Sequence, residues 1–207
     1  MRYLPSARRI QALAAITVLL SACEVKEGPT PVATGEPAAG AALDSTPATP
    51  EIPSDRLISA GGVGGIRLGM TLDEARRAVP SANFARTSDG EGVALVEITL
   101  GPDASVIAYA DEDDSAAPID WTKKVTHLET FSVAFKTAEG AHPGSLVADV
   151  EKIYGGTKEV MMSEIESREF ITFERQPAGL TMRLDNTGDS SSAAGRRLLS
   201  IAVARRP

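Results

Sequence analysis

Two glycine-led stretches recur 75 residues apart, and any fold for this chain must accommodate both. The first is Gly65-Ile66-Arg67-Leu68-Gly69-Met70-Thr71-Leu72-Asp73-Glu74-Ala75; the second is Gly140-Ala141-His142-Pro143-Gly144-Ser145-Leu146-Val147-Ala148-Asp149-Val150. Glycine holds the first and fifth places, an aliphatic residue the eighth, an acid the tenth, and a small or β-branched apolar residue the eleventh. Each pattern predicts a turn running into a short helix. Thr71-x-x-Glu74 is a capping box, in which each side chain satisfies a backbone amide that the first helical turn leaves free. Leu72, Ala75, Ala78 and Val79 give that helix one apolar face, and Pro80 stops it. In the second copy Ser145 is the expected cap, Val147, Val150, Ile153 and Tyr154 form the face, and Gly155-Gly156 ends it.

After each helix the hydrophobic period switches towards two. Val96, Ile98 and Leu100 alternate with Glu97 and Thr99, Gly101-Pro102-Asp103 turns the chain, and Ser105–Ala110 returns. A polar loop leads to Lys123–Thr130. The second half repeats the plan with Thr157–Met161, Arg168–Phe173, Leu180–Asp185 and Leu198–Ala204. Such alternation predicts half-buried antiparallel strands with one wet face. The expected fold class is therefore α+β, built as two tandem αβββ(β) modules over 58–130 and 131–207. Each module is a short helix packed on an antiparallel meander. Modules of this size are expected to share a core or one continuous sheet. Aromatic residues are only 4% of the chain, so that core must be mainly aliphatic.

Gly69-Met70-Thr71-Leu72-Asp73-Glu74 resembles the glycine-methionine-threonine helix entry of the BamE (SmpA/OmlA) lipoproteins. A tandem of helix-plus-meander units is similar to the architecture of the β-lactamase inhibitor protein. These resemblances imply a scaffold that presents a sheet face to another protein, and they carry over no catalytic residue.

The chain begins with a different kind of signal. Residues 1–9 are basic, with Arg2, Arg8 and Arg9, and Ile10 to Leu20 are apolar except for Gln11 and Thr17. That run is shorter than the roughly 20 apolar residues a membrane span requires. Leu20-Ser21-Ala22-Cys23, which holds the one cysteine, resembles the lipobox of bacterial lipoproteins. The resemblance implies that residues 1–22 are a signal peptide cleaved between Ala22 and Cys23, and that the Cys23 thiol takes a diacylglycerol. Two or three acyl chains, at about 0.8 kcal/mol per buried CH2, hold a protein firmly in a bilayer. Glu24, where aspartate would favour inner-membrane retention, leans the location towards the periplasmic face of the outer membrane. Residues 23–57 are rich in Pro, Ala and Thr and too poor in apolar surface to fold. They are expected to be a disordered tether spanning on the order of 30 Å.

Removing the signal peptide leaves 18 basic and 28 acidic residues, a net charge near -10. A surface this acidic argues against nucleic acid, which needs clustered Lys and Arg. No internal disulfide is possible with one cysteine. Gly64-Gly65-Ile66-Arg67-Leu68-Gly69-Met70-Thr71 has the spacing of a phosphate-binding loop, but Met70 stands in place of the required lysine. His127 and His142 lack zinc-ligand spacing. Asp111-Glu112-Asp113-Asp114, near Asp120, offers oxygen ligands for Ca2+ without the glycine turn and terminal glutamate of an EF-hand, and is read as a solvated loop. Glu164, Glu166 and Glu169 beside Arg168 are read as a charged sheet face. No catalytic residue, metal or cofactor is assigned.

Trp121, Tyr109 and Phe131 are the candidate interaction residues, because aromatic anchors dominate protein interfaces. Caps to the core near the module junction are their plainer role. The expected function is that of a non-enzymatic, lipid-anchored envelope protein in an interaction or assembly role, with the membrane and other envelope proteins as partners. A small-ligand or metal-ion binder is the alternative, and an envelope hydrolase using His127 or His142 the third reading. Mass spectrometry of the mature N-terminus should find an acylated Cys23, and Cys23→Ser should move the protein out of the membrane fraction. An unmodified thiol or cleavage elsewhere would overturn the anchor.

Overall fold

The first helix, α1 (Leu72–Ala78), starts where the capping box places it. The Thr71 hydroxyl accepts from the Glu74 amide at 3.1 Å, and the Glu74 carboxylate accepts from the Thr71 amide at 2.8 Å. These and the following features come from a computed structural model that describes residues 52–163, 167–186 and 193–204. All of them belong to one compact unit. The Leu20–Cys23 motif and tether residues 24–51 lie outside the described residues, as do Glu164 and Glu166. Residues 54–57, which the sequence assigns to the tether, already form a 3-10 turn (Ser54–Arg56) and the start of a strand.

The second helix, α2 (Val147–Tyr154), corrects the expected cap. Its N-cap is Leu146, with no side-chain cap bond, and Ser145 instead accepts from the His142 amide. One tertiary and one local bond replace the missing cap. The Val147 amide donates to the distant Arg196 carbonyl at 2.9 Å, and the Asp149 amide to the Leu146 carbonyl within the first turn at 3.0 Å. The corresponding amide of α1, Leu72, donates to Lys123 O at 2.9 Å, and Thr71 forms a bridge with Lys124 as Leu146 does with Arg197. Both helices thus enter from the same kind of backbone anchor.

A small sheet joins three strands that precede α1 to one that follows it. It combines β1 (Leu57–Ser59), β2 (Gly62–Val63), β3 (Ile66–Arg67) and β8 (Lys136–Thr137) in the order β3-β2-β1-β8, with β8 parallel to β1. Gly64 and Gly65 make the two-residue β2–β3 turn with φ 58° and 88°. A Cβ on Gly64 would meet the Phe135 ring at 2.7 Å. The phosphate-loop spacing is therefore a hairpin turn packed on the core.

The larger sheet has eight strands. In chain order they are β4 (Asn83–Ser88), β5 (Ala94–Gly101), β6 (Ala104–Tyr109), β7 (His127–Thr130), β9 (Thr157–Ser163), β10 (Arg168–Phe173), β11 (Leu180–Leu184) and β12 (Leu198–Ala204). Their spatial order is β4-β5-β6-β7-β12-β11-β10-β9, antiparallel throughout. The protein is thus a mixed α+β fold with large antiparallel pairing, and β4 is a strand the sequence pattern did not reveal.

Side chains alternate across each strand. One set, including Val96, Ile98, Val106, Ala108, Leu128, Met182, Ile201 and Val203, joins a single buried cluster. The same cluster takes in Leu72 and Ala75 of α1, Val147, Val150 and Tyr154 of α2, and Ile58, Val63, Ile66 and Phe135 around the small sheet. Among the described residues, both helices and the small sheet therefore lie on one side, and the other set of side chains forms a helix-free face. In urea unfolding, Thr71→Ala should cost about 1 kcal/mol through its lost cap. Ile98→Ala, at 0% exposure, should cost about 2–5 kcal/mol.

Candidate functional site: the helix-free face of the sheet

The centre of the helix-free face is set by the pairing of β6, β7 and β12. Ile107 lies opposite Glu129, which lies opposite Ala202; Tyr109 lies opposite His127, which lies opposite Ala204. Glu129 is only 9% exposed. A carboxylate buried to that degree requires a donor, and Ser200, from β12, supplies one: its hydroxyl donates to Glu129 Oε1 at 2.5 Å. The Ser200 proton thus satisfies a carboxylate; it is not held by an imidazole, as an activated serine's would be.

Tyr109 and His127 meet edge to face, with ring centroids 4.7 Å apart. Burial lowers the His127 pKa from the ordinary histidine value, and the Glu129 charge opposes that shift without cancelling it. The imidazole is therefore neutral at pH 7, and the face presents aromatic, aliphatic and hydrogen-bonding groups together.

Towards one end of the face lies a shallow groove of about 550 Å³, lined by Glu97, Thr99, Ser105, Phe131 and Val133 among others. Phe131 and Val133 are 45% and 56% exposed. The segment carrying them is held by backbone-directed bonds. Thr130 Oγ1 donates to Ser105 O at 2.8 Å, the Ser132 amide to Thr130 Oγ1 at 3.2 Å, and the Ser132 hydroxyl to Asp103 O.

The three aromatic candidates separate. Tyr109 and Phe131 belong to the helix-free face. Trp121 sits on the helix side, half-buried against the core, 5.6 Å from Phe84 and 4.5 Å from the Arg76 guanidinium. Its carbonyl accepts the Asp73 amide at the start of α1, so it braces that helix.

The acidic loop is already engaged. Arg86 of β4 makes a two-pronged ion pair with Glu112 and donates to the carbonyls of Ala117 and Pro118. Burial raises the Glu112 pKa, but the bonds from Arg86 and the Asp120 amide outweigh it and hold the carboxyl below the usual range. Asp120 and Asp114 accept from nearby loop amides. Among the described residues, no three His, Cys, Asp or Glu side chains gather as a metal site. His142 bonds the Pro143 carbonyl through Nδ1 at 2.7 Å, and Glu169 pairs with Arg196.

Two further cavities lie elsewhere. One of about 370 Å³ runs along the β2–β3 hairpin, with Asp55, Arg67 and Val79 in its wall. The other, about 200 Å³, is lined by Leu57, Glu139 and Pro177 among others. Beside it the Tyr154 hydroxyl donates to Glu139 at 2.7 Å and lies 2.6 Å from Thr137 Oγ1, and burial pushes the tyrosine pKa up.

No family model matches the chain, and no curated protein matches it. One solved structure, the uncharacterized protein yfeY from Escherichia coli, is similar over 72% of this chain and 99% of that one, at 11% identity and a TM-score of 0.47. Among the described residues, no helix is long and apolar enough to cross a membrane.

The face has a pH signature. Unfolded, His127 titrates near 6.5; folded, its pKa is lower. Between the two values the unfolded chain binds a proton that the native one does not, so stability rises with pH there. This contribution is complete above the unfolded pKa and is lost as pH falls through the window to the folded pKa. His127→Gln should flatten the pH dependence of urea unfolding in that window; an unchanged profile would refute the assignment.

Proposed function

We propose that this is a lipid-anchored cell-envelope protein with a non-enzymatic role, which uses the helix-free face of its sheet to hold another envelope protein. The observation that carries the reading is that face itself. It joins an aromatic pair, Tyr109 and His127, and a groove with exposed Phe131 and Val133, on an eight-stranded sheet with α1 and α2 both behind it. Paired strands hold Tyr109 and His127, and the bonds of Thr130 and Ser132 hold the loop that carries Phe131 and Val133, so little entropy is lost on binding. The anchor rests on the Leu20–Cys23 motif, and the outer membrane is favoured by Glu24.

The two halves are, in this reading, copies of one helix-plus-four-strand unit. The sequence repeat supports it, as do the matching anchors of Leu72 on Lys123 and Val147 on Arg196. So does the strand order, in which the last strands of the halves, β7 and β12, pair at the centre.

Photo-crosslinking in intact cells tests the interaction. A photoreactive residue replacing Ile107 or Thr181 on the helix-free face should capture a discrete envelope protein, and one replacing exposed Arg77 on α1 should not. Tyr109→Ala and Phe131→Ala should each reduce capture about tenfold, the effect of losing one interface anchor. Equal capture from Arg77, or none from the sheet face, would refute the reading.

A further inference from the structure

The two ends of the larger sheet differ. β4 is half-buried through its middle and is tied through Arg86 to the loop over residues 112–118. β9 is exposed from Lys158 to Met162, and its Val160, Met161 and Met162 side chains are 43%, 50% and 63% exposed. It ends the sheet, so among the described residues no strand pairs with its outer edge. An exposed apolar edge strand is a template for another strand, and proteins usually blunt one with proline, a bulge or inward charge. β9 has no proline; its bulge leaves Lys158 as the extra residue opposite the Thr172/Phe173 step, so the bulge and the lysine blunt only its first end and leave Val160 to Met162 open.

We propose that β9 is a self-association edge, which pairs antiparallel with β9 of a second copy about a two-fold axis at Met161. An isologous interface must be self-complementary, and directly opposed side chains in an antiparallel pair share a face. The axis must therefore fall on a residue. An axis at Glu159 sets two carboxylates against each other. One at Val160 sets Lys158 against Met162 and Glu159 against Met161. An axis at Met161 sets Met161 on Met161 and Val160 on Met162, and places Glu159 opposite the small Ser163.

The next strand strengthens this choice. In β10, Phe170 pairs with Met161 and Arg168 with Ser163. The Met161 axis thus creates a row Phe170–Met161–Met161–Phe170 across the two copies. On either side of it Glu159 faces Arg168 of the other copy across the serine, so opposite charges flank an apolar centre. Seven residues of strand cover less than the roughly 800 Å² per partner of a standard interface, so the association is weak.

Sedimentation velocity on the full chain in density-matched detergent, from about 5 to about 500 μM, covers the range where such a patch associates. A reversible monomer–dimer equilibrium is expected. Met161→Lys and Met161→Glu should each weaken it at least about tenfold, because like charges then oppose each other at the axis. An equimolar mixture of the two should recover the dimer, because Lys then faces Glu. Wild-type chain that stays monomeric throughout, a dimer that survives both substitutions, or a mixture no more associated than its components would overturn the proposal. Circular dichroism of each variant, expected to match the wild type, establishes that the loss is at the edge.

Discussion

β7 and β12 pair antiparallel at the middle of the larger sheet, with Leu128 opposite Val203 and Thr130 opposite Ile201. This junction joins strands whose sequence positions are some 70 residues apart, and much else follows from it. It merges the apolar faces of both halves into one cluster, which neither half is large enough to supply alone. It also fixes what lies behind: the residues between the core positions, Glu129 and Ala202, must fall opposite each other on the helix-free face. Glu129 is buried there because of this pairing, and Ser200 on β12 answers the donor it needs.

The same geometry explains why one side of the sheet is crowded and the other not. The helices, the small sheet and Trp121 all bury apolar surface against one set of alternating side chains. The opposite set carries alanine, serine, threonine and charged residues with a few aromatics, too polar to be buried under a second packed layer without partners for each group. Arg86 and Glu112 extend the crowded side outwards, closing the β4 end with a paired loop. Nothing comparable closes the β9 end among the described residues.

Much of this was written in local sequence. Thr71 and Glu74 mark the start of α1, Gly155 marks the end of α2, and the strict alternation of Leu180, Met182 and Leu184 marks β11. β4 escaped because Arg86 occupies a core-side position, where its charge is neutralised by Glu112, a partner 26 residues away; periodicity counts such a position as polar. β1, β2, β3 and β8 are two or three residues long, too short for any period to show. Ser145 looked like a cap because hydroxyls usually are, yet a distant carbonyl, Arg196, already takes the helix amide.

The sequence by itself determined the α+β class, both helices and most of the strands. Tertiary structure alone decided that eight strands form one sheet, that Tyr109 and Phe131 lie on the face opposite Trp121, and that no other described strand pairs with the outer edge of β9. The physical reason is one of range. Local periodicity records which side of an element is apolar, because that is set residue by residue. Which element covers that side, and which buried charge meets which donor, is set by contacts between residues far apart in the chain.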